Sequence, residues 1–372
     1  MVWCDRSRVR TSPRILWLLL AATFCALAPQ GGMAQTTLNP DISLIGDVRS
    51  FWHDDSTRAD GKALNLELHE VEIAVQGYLN PYARADVFAS WGNEGSEVEE
   101  AYITVTRGLP WGLALRAGQY RLEVGKINAL HPHACPFIVL PLAHEQFFGE
   151  EGLRDVAVEI SAAPPTGSVA STIAVDLLKG SFLDFPASAA NSEPPNKRGF
   201  SARWNSFVTL GTFTSLNLGA SAVTGVPAEG THRWIGGADL KLRWKPDRYR
   251  GFTTVAEWLV NRQPAVLATT AGTAAAAGTT EYLVRHGFFG YFDYQFRQRF
   301  EVGGMGDWTQ APADRETKFW RLGAFGGFAP VEETSLLRLL VAYERNAAAT
   351  TGFWSATLQL IFSLGPHKAH AF

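Results

Sequence analysis

Polar and apolar residues alternate from Leu44 to Phe362, and no stretch of this region shows the 3.6-residue period of an amphipathic helix. Residues 233–245 show the alternation most clearly. The positions on one face are Arg233, Asp239, Lys241, Arg243 and Lys245, and those on the other are Trp234, Ala238, Leu240, Leu242 and Trp244. Because successive side chains of a β-strand point to opposite faces, this pattern predicts a strand with one charged and one apolar face.

About 16 segments follow this pattern, and an even number of antiparallel strands suits a closed transmembrane β-barrel. Trp234 and Trp244 lie ten residues apart, and at about 3.3 Å per residue a strand tilted by about 40° rises roughly 25 Å over that distance, the height of the apolar band of an outer-membrane barrel. Together with Trp354, they are predicted to form an aromatic girdle at the edges of that band. The predicted strands cover residues 43–52, 66–78, 82–92, 98–106, 112–123, 153–162, 168–180, 198–206, 213–224, 232–245, 250–261, 285–296, 299–308, 317–328, 335–345 and 353–363.

The lengths of the connections support a barrel independently. If the chain begins in the periplasm, every second connection is short, and the other set contains all the long ones, including 124–152, 181–197 and 262–280. Short periplasmic turns and long external loops are typical of outer-membrane barrels. We therefore predict an all-β fold, a transmembrane antiparallel β-barrel of about 16 strands. A secreted β-sandwich or propeller is the soluble alternative, because these folds also alternate.

The composition agrees with a membrane barrel and excludes two other classes of protein. The mean hydropathy of -0.04 is too low for a helical membrane protein, which needs several apolar runs of about 18 residues. A barrel gives such a value because its apolar and polar residues alternate and their contributions cancel. The net charge of -3 provides no basic excess for binding nucleic acid, so no nucleic-acid partner is expected.

Residues 1–34 have the pattern of a secretory signal peptide, with four arginines, an apolar run of 14 residues and predicted cleavage after Ala34. The alternative is a membrane anchor, but the apolar run is short for a spanning helix. The remaining residues, 35–372, are predicted to form a single outer-membrane β-barrel domain. They contain one cysteine, Cys135, so an intrachain disulfide cannot stabilise them. Closure of the barrel would stabilise them instead.

Three segments resemble the phosphate-selective porin-like outer-membrane proteins. Residues 116–125 are similar to a strand-and-loop signature of that family, and residues 152–161 and 177–180 follow in the family's order. The similarity extends through most of residues 40–372, and it implies a channel of porin type. It implies no particular substrate, because the phosphate-selective members line their pore with a dense ladder of arginine and lysine that this sequence does not clearly reproduce.

Other segments resemble an uncharacterised group of predicted outer-membrane proteins, some of which are labelled zinc-regulated TonB-dependent receptors. These segments are residues 39–44, the sequence His131-Pro132-His133 and the C-terminal residues 365–372. Receptors of that class enclose a plug of roughly a hundred residues or more inside about 22 strands. The 338 residues after the signal peptide are occupied by the predicted strands, so they leave no room for a plug.

The longest predicted external connection, residues 124–152, is a candidate constriction loop. It lies between the fifth and sixth strands, where general porins fold a loop into the barrel. Its apolar content is high for a solvated loop, which indicates that it packs inside the barrel or against neighbours. Long loops in compact folds are usually functional, which favours a role in narrowing the pore.

The same loop contains five residues of the types that bind Zn²⁺ or copper: His131, His133, Cys135, His144 and Glu145. The His-x-His sequence places two imidazoles close together, but no CxxC or HExxH motif accompanies it. Two interpretations stay open. The histidines stabilise the loop through hydrogen bonds, or they bind a metal, in which case Zn²⁺ is the expected cofactor.

The predicted lumen face carries charges of both signs, and rings of charged residues select ions in pores. Mixed signs predict weak selectivity. The alternative is that these residues only solvate the lumen or pair across strands. The candidate pore-lining residues are Glu70, Glu72, Arg84, Asp86, Arg116, Asp239, Lys241, Arg243, Glu301 and Arg321.

These patterns predict a porin-like channel of the bacterial outer membrane, either a monomer or a homotrimer, through which small polar solutes or ions diffuse passively. The alternative is a metal-linked or receptor-type outer-membrane protein that binds a ligand through its external loops without a conducting pore. Enzymatic activity is not expected, because no G-x-S-x-G or comparable signature is present. The expected partners are outer-membrane lipid and, through the C-terminal strand and Phe372, the barrel assembly machinery.

Overall fold

A computed structural model describes most of the chain. The described residues are 40–58, 61–93, 95–184, 198–227, 231–264, 281–311, 316–331, 334–345 and 351–365. The predicted signal peptide, residues 1–34, and the C-terminal Phe372 lie outside these ranges.

The described residues form 16 antiparallel strands that close into one barrel, which confirms the predicted fold class. Each strand pairs with its neighbours in chain order, and β1 pairs with β16 to close the sheet. A closed sheet has no edge strand with unpaired backbone groups, which is a requirement for a sheet in lipid. The strands are β1 Asp41–His53, β2 Asn65–Asn80, β3 Ala83–Gly92, β4 Gly95–Val105, β5 Leu113–Arg121, β6 Arg154–Ala162, β7 Val169–Leu178, β8 Gly199–Thr209, β9 Thr214–Gly225, β10 Arg233–Trp244, β11 Gly251–Pro264, β12 Tyr282–Phe296, β13 Phe300–Gln310, β14 Lys318–Phe328, β15 Ser335–Arg345 and β16 Phe353–Leu364.

The alternation in sequence corresponds to the two faces of the sheet. In β10, Asp239 faces the lumen and is 6% exposed, whereas its neighbour Leu240 faces outward and is 38% exposed. Each predicted strand agrees with an observed one to within three residues at either end. The agreement follows from the strict two-residue period of side chains along a strand.

A β-bulge in β4 interrupts the alternation at one place that matters for the lumen. Phe88 of β3 pairs with Glu100, but the next residue, Ala89, pairs with Val98, so Glu99 is an extra residue on β4. Both Glu99 and Glu100 are buried, at 3% and 7% exposure. The bulge therefore directs two consecutive carboxylates to the inside of the barrel.

The two ends of the barrel have connections of different length, as predicted. At one end, none of the connections between the described strands is longer than seven residues. At the other end lie the long connections, 54–64, 122–153, 179–198 and 265–281. By the convention of outer-membrane barrels, the short-turn end is periplasmic and the long-loop end is external.

Helical structure is sparse in the part of the chain that the structure describes. It consists of one α-helix, α1 (Leu142–Phe148), and the 3₁₀ turns Pro110–Gly112, Pro132–Ala134 and Ser181–Asp184. None of these described helices is long and apolar enough to cross a membrane.

The three predicted girdle tryptophans lie on the outer face of the barrel, near its two ends. Trp234 and Trp354 lie at the long-loop end, where they are 40% and 52% exposed, and Trp244 ends β10 at the short-turn end. Also at the short-turn end, the rings of Phe300 and Phe328 stack with their centroids 4.9 Å apart. Aromatic rings at these two heights suit the two interfaces of a bilayer.

Candidate channel lumen

The connection between β5 and β6, residues 122–153, enters the barrel, as its apolar content predicts. Side chains or backbone groups of this segment, which we call the inserted loop, contact inward-facing residues of β2, β4, β11, β13 and β15. In the closed barrel, β2 and β4 lie opposite β11 and β13. The inserted loop therefore spans the lumen from wall to wall.

Asn128 holds the two ends of the inserted loop together. Its amide nitrogen donates hydrogen bonds to the carbonyls of Leu122, at 2.7 Å, and Leu153, at 2.8 Å. Its amide oxygen accepts a 2.7 Å bond from the backbone N–H of Leu153. Gly152, at φ 71°, packs against the same amide, where a Cβ atom would lie 2.8 Å from the Asn128 oxygen. The neck of the loop is thus closed by one fully bonded side chain.

Two acidic residues of the wall bind backbone N–H groups of the inserted loop. Glu257 of β11 accepts from the N–H groups of Lys126 and Ile127, the second at 2.8 Å. Asp307 of β13 accepts a 2.6 Å bond from the N–H of Leu142, the first residue of α1. Buried backbone groups need such partners, and the first N–H groups of a helix have none within the helix.

Three arginines of the wall bind backbone carbonyls of the inserted loop in the same manner. Their side chains are all at least nine-tenths buried, so these contacts are not with solvent. The contacts join Arg338 to the carbonyls of His133 (3.1 Å) and Cys135 (3.2 Å), Arg321 to that of Leu140 (3.2 Å), and Arg233 to that of Phe147 (2.6 Å). Charged wall residues thereby fix the path of the loop backbone.

Apolar contacts fill the lumen between the inserted loop and much of the wall. Phe147 packs with inward-facing residues of β9 to β11, and Phe137 packs with Phe289 of β12 at 4.7 Å between ring centroids. The wall residues of these two clusters are Val223, Ile235, Leu259, Val255, Phe289, Met305, Phe325 and Leu340 on β9 to β15, with Tyr120, Ala157 and Leu178 on β5 to β7. This part of the barrel has a hydrophobic core inside it, in addition to its apolar outer face.

The side of the lumen next to β1 to β5 contains a cavity. This cavity of about 730 Å³ lies along the inner faces of β1 to β5 and reaches β7, β8 and β9. The inserted loop borders it through residues from Glu123 to His131. The acidic lining residues are Glu72, Asp86, Glu100 and Glu123, and the basic ones are Arg84, Arg116, Arg121, Lys126 and Arg203.

Charges on the cavity wall are paired at short distances. Arg84 Nη2 donates a 2.5 Å hydrogen bond to Asp86 Oδ1. Lys126 Nζ lies 3.2 Å from Asp239 Oδ1, and the Asp239 carboxylate also pairs with Arg203. Burial lowers the pKa of Lys126, while the Asp239 carboxylate acts in the opposite direction. These pairs hold the charged side chains in fixed positions along the cavity.

The ten candidate pore-lining residues all face the inside of the barrel, but only some of them line the cavity. Glu72, Arg84, Asp86 and Arg116 line the open cavity. The others lie elsewhere on the inner wall: Glu70 beside the loop histidines, Asp239 in the pair with Arg203, Glu301 in a pair with Arg338, Arg321 against the loop backbone, and Lys241 and Arg243 toward the short-turn end of β10.

His131 lies among carboxylates of the wall. Its Nδ1 is 2.7 Å from Glu72 Oε2 and 3.3 Å from Glu99 Oε2, and its Nε2 shares a 2.8 Å hydrogen bond with Glu100 Oε1. Burial opposes the charged imidazole, but the contacts with Glu100, Glu72 and Glu99 outweigh it and raise the pKa of His131 well above its usual value. Ring centroids of His131 and His133 lie 5.6 Å apart.

The five predicted metal donors of the loop do not form one site, which corrects the expected ligand set. Cys135 lies in an apolar cluster, where burial raises the pKa of its thiol to about 11. His144 lies 3.4 Å from Glu257 of β11, and burial lowers the pKa of its imidazole to about 3. Burial also raises the pKa of Glu145, although the guanidinium of Arg321 opposes this effect. Of the five, only His131 and His133 belong to a group of three or more donor side chains among the described residues.

No family model matches the chain. An uncharacterized protein of Aquifex aeolicus (strain VF5) is 31% identical over 153 residues, which cover 36% of this chain and 32% of that protein. The chain thus spans about a third of the length of the curated relative it matches.

Solved structures share the fold over almost their whole length. The anion-selective porin from Comamonas acidovorans covers 87% of this chain and 99% of its own, with a TM-score of 0.60 and 8% identity. The outer membrane channel DcaP of Acinetobacter baumannii covers 87% and 97%, with a TM-score of 0.56 and 10% identity. OmpT of Vibrio cholerae in its trimer form covers 87% and 99%, with a TM-score of 0.56 and 5% identity. The barrel has the fold of the bacterial outer-membrane porins.

The apolar outer face of a porin-fold barrel needs a covering of lipid, or of detergent in its place, and the outer membrane is the bilayer in which such barrels occur. The predicted location is therefore confirmed. Outward-facing residues such as Ile160, Leu322 and Leu358 are 53%, 66% and 44% exposed, and lipid would cover them.

Several residues that shape the lumen of this porin-fold barrel were absent from the sequence prediction. Glu99 falls on the predicted outward face of its strand, and only the bulge in β4 turns it inward. Glu257 and Arg338 lie on strands with a regular alternation, so the two-residue period would have found them. Their partners, which are backbone groups of the inserted loop, leave no trace in the sequence.

Proposed function

We propose that this porin-fold barrel is a channel through which small polar solutes or ions diffuse passively. The observation that carries the proposal is the cavity of about 730 Å³ beside the inserted loop. Its volume falls within the ~300–1,000 Å³ that accommodate small molecules. Apolar clusters fill much of the rest of the lumen. The proposed path therefore runs beside the wall formed by β1 to β5 and not through the centre of the barrel.

The lining of the cavity supports a weakly selective channel. Four acidic and five basic residues line it in the part of the chain that the structure describes, so their charges nearly cancel. A pore with a strong field of one sign would favour the opposite ion. We therefore propose that both cations and anions pass.

Planar-bilayer recording tests the channel. We expect discrete conductance steps from the folded protein and none from a heat-unfolded sample. Replacement of Arg116, which lines the cavity, by Trp adds bulk and is expected to reduce the size of each step. Arg250→Trp is the matched control, because Arg250 pairs with Asp247 in a short turn outside the cavity.

A closed trace under applied voltage would overturn the channel and favour the alternative, a receptor-type protein that binds a ligand without conducting. Steps of equal size in wild type and Arg116→Trp would show that the path does not follow the cavity.

The oligomeric state is a second part of the proposal. The trimer form of the similar Vibrio cholerae protein supports a homotrimer, and a monomer is the alternative. Chemical cross-linking in detergent distinguishes them, since a trimer gives a band at three times the mass of the chain.

A further inference from the structure

Five donor side chains converge where the inserted loop meets β2 and β4. Ligand atoms of Glu72, Glu99 and His131 lie within 4.8 Å of one another, and so do those of Glu70, Glu72 and His133. Glu72 belongs to both sets. All five side chains are buried, so the donors are held by the packing around them.

The hydrogen bonding of His131 is that of a metal-binding imidazole. Nδ1 points to Glu72 and Glu99, at 2.7 and 3.3 Å, while Nε2 bonds to Glu100 at 2.8 Å. Histidines that bind a metal through one ring nitrogen usually donate the other N–H to a carboxylate, which fixes the orientation of the ring. Glu100 is in the position of that carboxylate.

One buried carboxylate oxygen of this cluster is unsatisfied by the described residues. Glu70 Oε1 accepts no hydrogen bond from them, although Glu70 is only 7% exposed. Buried carboxylates without donors are costly, and such atoms call for a missing ion or proton. Arg121, which donates to Glu99 Oε2 at 2.9 Å, offsets one charge of the cluster.

We propose that Glu72, Glu99 and His131, together with Glu70 and His133, bind one Zn²⁺ ion. Imidazole with carboxylate is a donor set that Zn²⁺ prefers, whereas Mg²⁺ and Ca²⁺ are bound by oxygen atoms alone. The three glutamates come from the barrel wall and the two histidines from the loop. The ion therefore ties the inserted loop to the wall of the cavity.

An entry path for the ion exists. Glu72, Glu100 and His131 all line the open cavity, so a hydrated cation in the lumen reaches the cluster without passing through the apolar clusters. Arg338 holds the backbone carbonyl of His133 at 3.1 Å, so this part of the loop is fixed independently of the ion.

Isothermal titration of the folded, detergent-solubilised protein with ZnCl₂ tests the site, after dialysis against chelator. We expect saturable binding of one Zn²⁺ per chain and no saturable heat with MgCl₂ or CaCl₂. Glu72→Gln and His133→Ala should each abolish saturable binding. Glu100→Ala should retain it with an affinity about 10- to 100-fold weaker, because it removes the hydrogen bond that orients the imidazole but removes none of the five proposed ligands.

His232→Ala is the matched control, since this exposed histidine lies outside the cluster, and it should bind as the wild type does. Each variant is first shown to be folded by its migration in unheated gels. If Glu72→Gln does not fold, His133→Ala decides, because it changes only a loop side chain. Absence of saturable Zn²⁺ binding, or equal binding by wild type and His133→Ala, overturns the proposal.

Discussion

Glu257 on β11 accepts a 2.8 Å hydrogen bond from the backbone N–H of Ile127, and the same oxygen accepts from Lys126. Replacement by Ala leaves both N–H groups buried without a partner, and each such loss costs about 1–3 kcal/mol. We expect Glu257→Ala to lower the free energy of unfolding by a few kcal/mol, measured by urea titration in detergent. The channel currents should also become noisier, because the loop is released on one side.

Glu257→Gln provides the control for that experiment. The amide keeps one carbonyl oxygen in place of Oε1, so the two backbone bonds can form as they do in the wild type. Its stability should lie much closer to that of the wild type than to that of Glu257→Ala. Equal destabilisation by Gln and Ala would show that the negative charge, and not the pair of backbone bonds, is what matters at this position.

Gly287 of β12 permits the close approach of α1. A Cβ atom there would overlap the Cβ atom of Ala143 and lie 3.4 Å from its Cα. Overpacking of this kind costs about 1–3 kcal/mol, so we expect Gly287→Ala to lower the unfolding midpoint and to displace the helix. In Gly306→Ala, by contrast, the nearest atom to the new Cβ is Leu322 Cδ1 at 3.9 Å, and little change is expected. Equal effects of both variants would contradict the close fit.

His144 gives the stability a dependence on pH. Burial lowers its pKa to about 3 in the folded protein, below the usual 6.5, so only the unfolded state binds a proton between these values. The contribution of neutral His144 to the free energy of unfolding is therefore fully present above pH 6.5, and it is lost as the pH falls toward 3. From pH 7 to pH 5 the loss is about 2 kcal/mol.

Chemical unfolding at these two pH values measures the effect. The variant His144→Asn should lose less stability on acidification than the wild type, while His232→Ala, which removes an exposed imidazole, should lose as much. A wild-type slope retained in His144→Asn would mean that other groups cause the dependence.

Reversal potentials in a salt gradient test the balance of charges along the cavity. With four acidic and five basic described residues in the lining, we expect the wild type to show a potential near zero. Arg84→Glu removes one base and adds one acid, so the potential should shift toward cation selectivity. Arg250→Glu changes the same charges outside the cavity and should shift it much less. An unchanged potential in Arg84→Glu would place the ion path elsewhere.

The two-residue period was enough to predict some of the residues that face the lumen, but not those that depend on the bulge in β4 or on the inserted loop. Glu72, Arg84, Asp86 and Arg116 line the cavity, and the two-residue pattern alone puts these four residues on the inward face of their strands. Glu99 could not be found in this way, because the bulge in β4 shifts the pattern by one residue. The sequence also offered no reason for apolar residues such as Phe289 on the inward face of a strand. The structure supplies one, because Phe289 packs against the inserted loop.

The sequence by itself determined the sixteen strands, their boundaries to within three residues, and the two ends of the barrel. It did so because the period of side chains along a strand and the lengths of connections are local properties of the chain. Tertiary structure decided the rest: the loop's path across the lumen, the position of the cavity, and the meeting of His131 with Glu72 and Glu99. These contacts join residues far apart in the chain, and they depend on how closure of the sheet arranges the strands around one interior.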